Sequence, residues 1–222
     1  MIYLLHEATG DDTIILEGDS FKHMIKARRH TVGDKVLLRK LDDENNYTYL
    51  ITQSSKKEAT LSLDETFIPP KQLRKSLHLA WCMIDPKSIE KVLPSLCELG
   101  VSTISFIYAH RSQKNFTIDE KRVNRILLNS MQQCGRYDMM QIFLDVSLED
   151  FINQHPNCAV LDFCETTLRS DDTFTSVLLG PEGGFDDQEK QLLKDLAVRR
   201  LDTPMILRSE TAALAIASKI LL

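Results

Sequence analysis

The feature that most constrains the fold is a change of sequence pattern at Pro69-Pro70. Before it, apolar stretches are short and rich in β-forming residues, as in a small β-barrel, and strands are predicted at 13–16, 35–38, 47–51 and 59–63. Because each proline removes a backbone donor and disfavours helix in the residue before it, residues 64–75 are predicted to be a linker. We therefore expect a first domain at residues 1–70 and a second at 73–222.

After the linker, strands and helices alternate along the chain. Strands are predicted at 77–83, 103–108, 159–163 and 176–179, and helices at 88–99 and 119–134. Gly100 and Gly135 are natural C-caps for these two helices. Such alternation predicts the α/β class, with a layer built on a largely parallel sheet.

Composition excludes several classes of protein. With 43% apolar and 27% charged residues, the 222-residue chain has the balance of an ordinary globular protein. No apolar run approaches the roughly 18 to 20 residues that span a bilayer, and the opening run is too short for a signal peptide, so a cytoplasmic location is expected. The five cysteines are odd in number and form no CxxC pair, which argues against a disulfide framework or a metal site.

The net charge of −5 argues weakly against nucleic acid as a partner, but the charge is unevenly distributed. Residues 21–40 contain seven basic side chains and one acidic side chain, Asp34. The basic residues are Lys22, Lys26, Arg28, Arg29, Lys35, Arg39 and Lys40. This surplus is compatible with an RNA footprint, although a solvated charged face is the commoner meaning of such a run.

A glycine-rich segment follows the last predicted strand. The apolar run at 176–179 leads into Gly180-Pro181-Glu182-Gly183-Gly184-Phe185, and then into a helix capped by Asp186 or Asp187. Glycine permits positive φ and leaves amide groups uncovered, which suits close contact with the adenine or ribose of a cofactor. A plain structural turn is equally compatible with this loop alone.

Other nucleotide and metal motifs are absent from the sequence. The loop lacks the Gly-Lys-Ser/Thr ending of a P-loop, and it does not fit the GxGxxG dinucleotide fingerprint. The sequence also contains no HExxH, GxSxG or EF-hand pattern, so hydrolase and metal-site interpretations have no support. A different nucleotide-like ligand remains possible.

A second segment, residues 205–217, combines a short apolar run, a polar turn and an alanine-rich helix. Ser209 or Thr211 is a plausible N-cap for that helix. Arg208 and Glu210, if isolated, are best interpreted as a solvated pair at the helix start. Their proximity to the glycine-rich segment favours a functional role instead.

Together the two segments resemble the 16S ribosomal RNA uracil-N3 methyltransferase family of the SPOUT, or trefoil-knot, class. The family's signature pairs a GPEGGF loop with an LR(T/S)ETA loop, and both occur here almost unaltered. Shorter matches are Glu98-Leu99-Gly100-Val101, Arg111-Ser112, Gln133-Cys134-Gly135-Arg136, and His23 to Arg29 followed by Val32-Gly33-Asp34. Four positions depart from the family pattern, namely Ile2, Ser95, Met140 and Thr203.

The resemblance implies a fold, a reaction and partners. Residues 1–70 would be a PUA-like β-barrel that binds RNA, and residues 73–222 a SPOUT methyltransferase domain with a C-terminal trefoil knot. The knot rests on the resemblance alone, because true knots are rare. The implied enzyme is a homodimer that uses S-adenosylmethionine to methylate N3 of a uridine in 16S ribosomal RNA or the small ribosomal subunit, with no metal and no membrane.

The resemblance also implies site residues. Cofactor loops are expected at 161–165, 179–184 and 201–212, with cofactor contacts from Leu161, Leu179, Gly180, Pro181, Glu182, Gly183, Gly184, Leu201, Leu207, Ser209, Thr211 and Ala212. Arg208 is expected to offset negative charge on the pyrimidine, while Glu182 or Glu210 orients or deprotonates it. The expected RNA contacts are His23, Lys26, Arg28, Arg29, Arg111 and Arg136.

Two alternatives remain open on the sequence. One is a trefoil-knot methyltransferase that acts on another RNA or on a ribose 2′-hydroxyl, because cofactor loops identify the methyl donor better than the acceptor. The other is a noncatalytic, ribosome-associated RNA-binding protein that keeps the fold without the activity.

Overall fold

The computed structural model describes residues 2–69, 75–112 and 116–222. The chain divides into two compact units, one of residues 1–72 with 132–135, the other of residues 73–131 with 136–222. Part of the predicted linker, residues 70–74, lies outside the described residues. No helix within the described ranges is long and apolar enough to cross a membrane.

The first unit is built on a five-stranded sheet of order β1-β3-β4-β5-β2. Its strands are β1 (Leu4–Leu5), β2 (Thr13–Glu17), β3 (Lys35–Arg39), β4 (Asn46–Ser54) and β5 (Glu58–Phe67). The four strands predicted from the sequence are therefore confirmed. The prediction that the linker begins at Asp64 was wrong, because β5 pairs with β4 as far as Phe67.

Among the described residues, the two edge strands of the first unit's sheet do not pair with each other, so the sheet is open. β1 pairs with β3 in parallel, the other neighbours are antiparallel, and β1 and β2 form the two ends of the sheet across the described residues. A closed barrel is thus not shown. A short helix, α1 (Gly18–Phe21), continues into a π-helical turn (Lys22–Lys26) that buries Met24 and Ile25 in the core.

The second unit contains a six-stranded sheet of order β11-β9-β10-β6-β7-β8. Its strands are β6 (His78–Cys82), β7 (Thr103–Ile107), β8 (Gln141–Val146), β9 (Ala159–Leu161), β10 (Ser176–Leu179) and β11 (Ala197–Arg199). Every neighbouring pair is parallel, which confirms the predicted α/β layer. The sequence did not predict β8 and β11, which form the two edges of this sheet.

In the described part of the second unit, five helices accompany this sheet. They are α2 (Pro86–Leu99), α3 (Glu120–Cys134), α4 (Leu148–Gln154), α5 (Asp187–Leu193) and α6 (Ser209–Leu221). The side chain of Asp85 caps α2 by accepting a hydrogen bond from the backbone N–H of Ser88. Gly100 ends α2 in the left-handed conformation, with φ of 95°, as predicted for a glycine C-cap.

The helices lie on both faces of the sheet, and the alternation of side chains along β6 shows how. Leu79 and Trp81 belong to a buried cluster with residues of α2, α3 and α6. Ala80 and Cys82 belong to a second cluster that includes residues of α4 and α5. Because successive strand residues point to opposite faces, a central strand covered on both sides is apolar at every position.

Candidate active site

A cavity of about 420 Å³ lies where three loops of the second unit meet the first turn of α6. The loops are at 161–163, 179–185 and 200–208, and they follow β9, β10 and β11 respectively. These strands are adjacent and parallel in the sheet, so their carboxyl ends share one edge. Crevices at this edge are the usual ligand sites of open α/β sheets.

Most residues that the sequence predicted for the site line this cavity. All the expected cofactor contacts do so except Gly183 and Thr211, and the catalytic candidates Glu182 and Arg208 also line it. The third catalytic candidate, Glu210, lies half-buried in the first turn of α6 and is not among the lining residues. The structure therefore brings Glu182 and Arg208 to one cavity from two different loops.

Several lining residues were not predicted as contacts. They are Asp162, Phe163, Phe185, Arg200, Thr203, Met205 and Ile206. Asp162 and Phe163 lie within the predicted cofactor loop 161–165, and Thr203, Met205 and Ile206 lie within the predicted loop 201–212. Phe185 and Arg200 each lie one residue outside a predicted loop. Thr203 was identified as a departure from the family pattern, and the structure places that departure in the wall of the cavity.

Two glycines give the loop after β10 its shape. A Cβ at Gly180 would lie 2.8 Å from Cε2 of Phe185, whose ring is buried. Gly184 has φ of +68°, in the region that favours glycine, and its N–H donates to the carbonyl of Pro181 over 2.8 Å. The loop therefore folds tightly over the Phe185 ring.

The N-cap of α5 is Asp186, so of the two residues that the sequence offered, Asp186 and Asp187, the first is the cap. Its carboxylate accepts from the Glu189 N–H at 2.8 Å, and the Glu189 side chain accepts from the Asp186 N–H at 2.9 Å. This reciprocal pair is a capping box. The hydrogen bond from the Glu189 backbone lowers the pKa of the Asp186 carboxyl.

The start of α6 differs from the prediction. Arg208 occupies the N-cap position without a side-chain capping bond, so the expectation that Ser209 or Thr211 caps this helix was wrong. Ser209 instead uses its hydroxyl oxygen to accept from the indole N–H of Trp81 at 2.8 Å. This buried bond ties the first turn of α6 to β6 beneath the cavity.

The mouth of the cavity is both charged and apolar. Its charged lining residues are Asp162, Glu182, Arg200 and Arg208. Three large apolar side chains at the cavity are strongly exposed, with Phe163 at 82%, Met205 at 70% and Ile206 at 84%. Contiguous exposed apolar groups beside a polar rim are typical of surfaces that a ligand or protein covers.

The residues expected to contact RNA fall in different places. His23, Lys26, Arg28 and Arg29 are exposed on the first unit. Lys26 Nζ lies 5.4 Å from the centroid of the Phe21 ring, and Arg29 adopts φ of 60°. The four side chains thus belong to one exposed basic segment that begins in the π-helical turn.

In the second unit, Arg111 is exposed and its Nη1 donates to the carbonyl of Gly183 at 2.9 Å. The structure contradicts the predicted role of Arg136 as an RNA contact, because the Arg136 side chain is only 3% exposed. Its guanidinium donates to the carbonyls of Cys97 and Val101, where α2 ends, and to Asp138. Arg136 therefore has a structural role, because its hydrogen bonds join residues 136–138 to the end of α2.

Comparison with known proteins agrees with this geometry. The family model described as "RNA methyltransferase domain" matches residues 71–221. A Helicobacter pylori protein named ribosomal RNA small subunit methyltransferase E is 36% identical over 224 residues, covering 98% of each chain.

Two solved structures share the fold. A methyltransferase from Legionella pneumophila in complex with the bound cofactor SAM has a TM-score of 0.74 at 23% identity, covering 98% of this chain and 94% of that one. Ribosomal RNA small subunit methyltransferase E from Neisseria gonorrhoeae, bound to S-adenosyl methionine, has a TM-score of 0.71 at 19% identity, covering 98% and 95%. With the family match and the Helicobacter pylori relative, these findings show that the chain belongs to the RNA methyltransferase family that includes ribosomal RNA small subunit methyltransferase E.

Proposed function

We propose that this protein transfers a methyl group from S-adenosylmethionine to N3 of a uridine in 16S ribosomal RNA. The observation that carries the proposal is the cavity, because the GPEGGF and LRSETA segments meet there with the loop after β9. Relatives named for small-subunit ribosomal RNA methylation support the substrate class. An enzyme with this substrate would work in the cytoplasm.

The cavity suits a cofactor of this kind. Its volume of about 420 Å³ falls within the roughly 300 to 1,000 Å³ that is usual for small-molecule sites. Leu161, Leu179, Leu201 and Leu207 supply apolar lining for an adenine ring, and the first turn of α6 has N–H groups without intrahelical partners. When bound, S-adenosylmethionine would supply a methyl group carried on a sulfonium.

Arg208 and Glu182 would act on the acceptor base. Uracil N3 carries a proton at neutral pH, and its loss leaves negative charge on the pyrimidine oxygens. The guanidinium of Arg208 would offset this charge, and the carboxylate of Glu182, in the same cavity, would orient the base or accept the proton. Glu210 is the weaker candidate because it does not line the cavity.

The first unit would bind the RNA outside the target base. We assign residues 1–70 as a PUA-like module whose contacts include His23, Lys26, Arg28 and Arg29, supported by the exposure of all four. Residues 73–222 would form the methyltransferase domain with its trefoil knot, and exposed Arg111 would contribute a further RNA contact.

We also propose that the enzyme is a homodimer in which a second copy completes each site. The strongly exposed Phe163, Met205 and Ile206 at the cavity support this, since a protein surface would remove them from water. Sedimentation velocity of the purified protein is expected to give the dimer mass. A monomer at micromolar concentration would contradict this part of the proposal.

The reaction can be tested directly on ribosomal subunits. Small subunits from a strain that lacks this activity are incubated with the enzyme and labelled S-adenosylmethionine, and the RNA is digested to nucleosides. The expected product is 3-methyluridine at one position of 16S RNA. A 2′-O-methylated nucleoside, methylation of another RNA alone, or no transfer would contradict the proposal.

The roles of the side chains require single-turnover rates at saturating cofactor. Arg208→Ala is expected to lower the rate by about 100- to 1,000-fold, the usual cost of removing one group that stabilises developing charge. Glu182→Gln should lower it more than Glu210→Gln. Arg125→Ala removes an exposed arginine of α3 and should keep the wild-type rate. Wild-type rates for Arg208→Ala and Glu182→Gln would reject the assignment.

A further inference from the structure

Two loops of the second unit are joined by one buried carboxylate. One loop, residues 109–112, follows β7, and the other is the glycine-rich loop after β10. Since β6 lies between β10 and β7 in the sheet, the two loops meet across its carboxyl end. Glu189 Oε1 accepts from the His110 N–H at 2.7 Å, and Oε2 accepts from the Asp186 N–H at 2.9 Å.

Helix capping explains only half of this arrangement. The bond from the Asp186 N–H to Oε2 completes the capping box of α5. The bond from the His110 N–H to Oε1 belongs to a different loop, 79 residues away in sequence. Glu189 is only 9% exposed, and a carboxylate is seldom this buried unless its oxygens are hydrogen-bonded.

The neighbours of Glu189 are a buried thiol, Cys82, and the hydrogen-bonded turn at residues 109–112. Burial and the charge of Glu189 raise the pKa of the Cys82 thiol, which is therefore neutral and inert at physiological pH. The hydroxyl oxygen of Ser112 accepts a hydrogen bond from the Ala109 N–H at 3.0 Å. This bond closes the turn that contains His110 and Arg111. The backbone of this turn is thus fixed on both sides of Arg111.

This turn determines the position of the Arg111 side chain. Its Nη1 donates to the Gly183 carbonyl at 2.9 Å, and a Cβ at Gly183 would come within 3.3 Å of Arg111 Cβ. The guanidinium therefore lies on the glycine-rich loop one residue from Glu182, a lining residue of the cavity. An exposed cation at this place is suited to a phosphate of RNA whose base enters the cavity.

We propose that Glu189 is a positioning residue for the RNA substrate: it holds the turn at 109–112 so that Arg111 lies on the glycine-rich loop beside the cavity. This inference rests on the proposed function, because it requires an RNA acceptor at the cavity mouth. Glu189 acts through Arg111 and touches neither cofactor nor base. The inference predicts that substitutions of Glu189 and Arg111 are energetically coupled.

A double-mutant cycle tests this coupling. Glu189→Gln keeps the size of the side chain but replaces one acceptor oxygen with a donor, which cannot accept from the second backbone N–H. We expect Glu189→Gln and Arg111→Ala each to lower kcat/KM for the ribosomal subunit by about 10- to 100-fold, while calorimetry shows unchanged cofactor affinity. The double variant should be no worse than Arg111→Ala alone.

Asp187→Asn, which removes an exposed carboxylate from the same turn of α5, is the matched control and should behave as wild type. Multiplying effects in the double variant, or a wild-type rate for Glu189→Gln, would overturn the inference. Loss of cofactor affinity in Glu189→Gln would also do so, because it would show that Glu189 only shapes the cofactor loop.

A second variant leaves Glu189 intact, in case Glu189→Gln fails to fold. Gly183→Ala places a methyl group against the Arg111 side chain, so it should lower kcat/KM in the wild-type background. Its effect should be smaller beside Arg111→Ala, which removes Cγ and Cδ and leaves only the 3.3 Å contact with Cβ. Equal losses in both backgrounds would contradict the inference. Failure of the proposed function is distinguishable, because the wild-type enzyme would then transfer no methyl group to uridine N3 in the same assay.

Discussion

Gly180 shows how a single backbone position can decide the shape of the cavity. It lines the cavity, and the space that a side chain would need is occupied by the Phe185 ring. The ring itself is 2% exposed and packs in the cluster that also contains Ala80 and Phe151. A side chain at Gly180 could therefore be accommodated only if the ring or the loop moved.

We predict that Gly180→Ala weakens S-adenosylmethionine binding and destabilises the fold by about 1 to 3 kcal/mol, the usual cost of overpacking. Calorimetric titration and urea unfolding measure the two effects. The double variant Gly180→Ala/Phe185→Leu, which shortens the side chain that collides, should recover part of both. Wild-type affinity in Gly180→Ala would show that the loop has room that the structure does not suggest.

Residue identity predicted the location of the cavity better than the role of each side chain. The GPEGGF and LRSETA motifs led to Glu182 and Arg208, which do line it. Arg136 was expected to contact RNA because of the family resemblance, and Ser209 was a candidate helix cap because of its residue type. Their partners are the carbonyl of Val101 and the indole of Trp81, which are distant in sequence, so no local pattern could have indicated these roles.

At the scale of elements, the amino end of the parallel sheet carries a half-buried histidine. His78 begins β6, and its Nε2 lies 2.8 Å from the Ser105 hydroxyl on β7. Its ring packs against Phe151 and His155 at the end of α4, at centroid distances of 5.2 and 4.7 Å. Burial, with a smaller contribution from His155, lowers the pKa of His78 from 6.5 to about 4.

This shift gives a pH dependence of defined sign. Since the unfolded chain protonates His78 near pH 6.5 and the folded chain near pH 4, the unfolded state binds more protons between these values. We predict that the free energy of unfolding falls as pH decreases from about 6.5 to about 4, measured by urea unfolding. Burial also lowers the pKa of His155, which adds to the effect.

His78→Gln, which keeps a side chain able to hydrogen-bond to Ser105, should reduce the slope of stability against pH. His23→Gln, which removes one exposed histidine from the first unit, is the matched control variant. An identical slope in wild type and His78→Gln would show that other groups cause the acid sensitivity.

The elements that sequence patterns missed share a physical reason. β8 and β11 lie at the edges of the six-stranded sheet and are covered less completely than the central strands. Their residues therefore lack the continuous apolar run that identified β6 and β10. The short β1 was missed because its two residues become a strand only by pairing with β3, which is distant in sequence.

For the whole molecule, charge distribution matters more than net charge. A chain of net charge −5 repels a polyanion on average, yet it presents an exposed basic segment on the first unit and Arg111 beside the cavity of the second. In that segment Arg29 adopts φ of 60°, a conformation that costs an L-residue roughly 1 to 2 kcal/mol relative to the right-handed one. Strain of this kind often coincides with a functional residue, which favours an RNA contact for Arg29.

Two substitutions separate RNA binding from folding at this position. Arg29→Gly removes the charge and relieves the backbone, so the free energy of unfolding should rise by up to about 1 kcal/mol while RNA affinity falls. Reversing Arg28 and Arg29 together to Glu should weaken RNA binding further. It should also lower the slope of log K against log salt by about one unit for each RNA phosphate that the protein no longer neutralises.

The matched control reverses Lys56 and Lys57, two exposed lysines between β4 and β5 of the same unit. This variant changes net charge by the same amount, so it isolates position from overall electrostatics. Filter binding to 16S RNA fragments at several salt concentrations should show a flattened slope for the Arg28/Arg29 reversal and a nearly wild-type slope for the lysine reversal. Equal slopes for the two variants would mean that the RNA senses only net charge, and the basic segment would then no longer belong to the footprint.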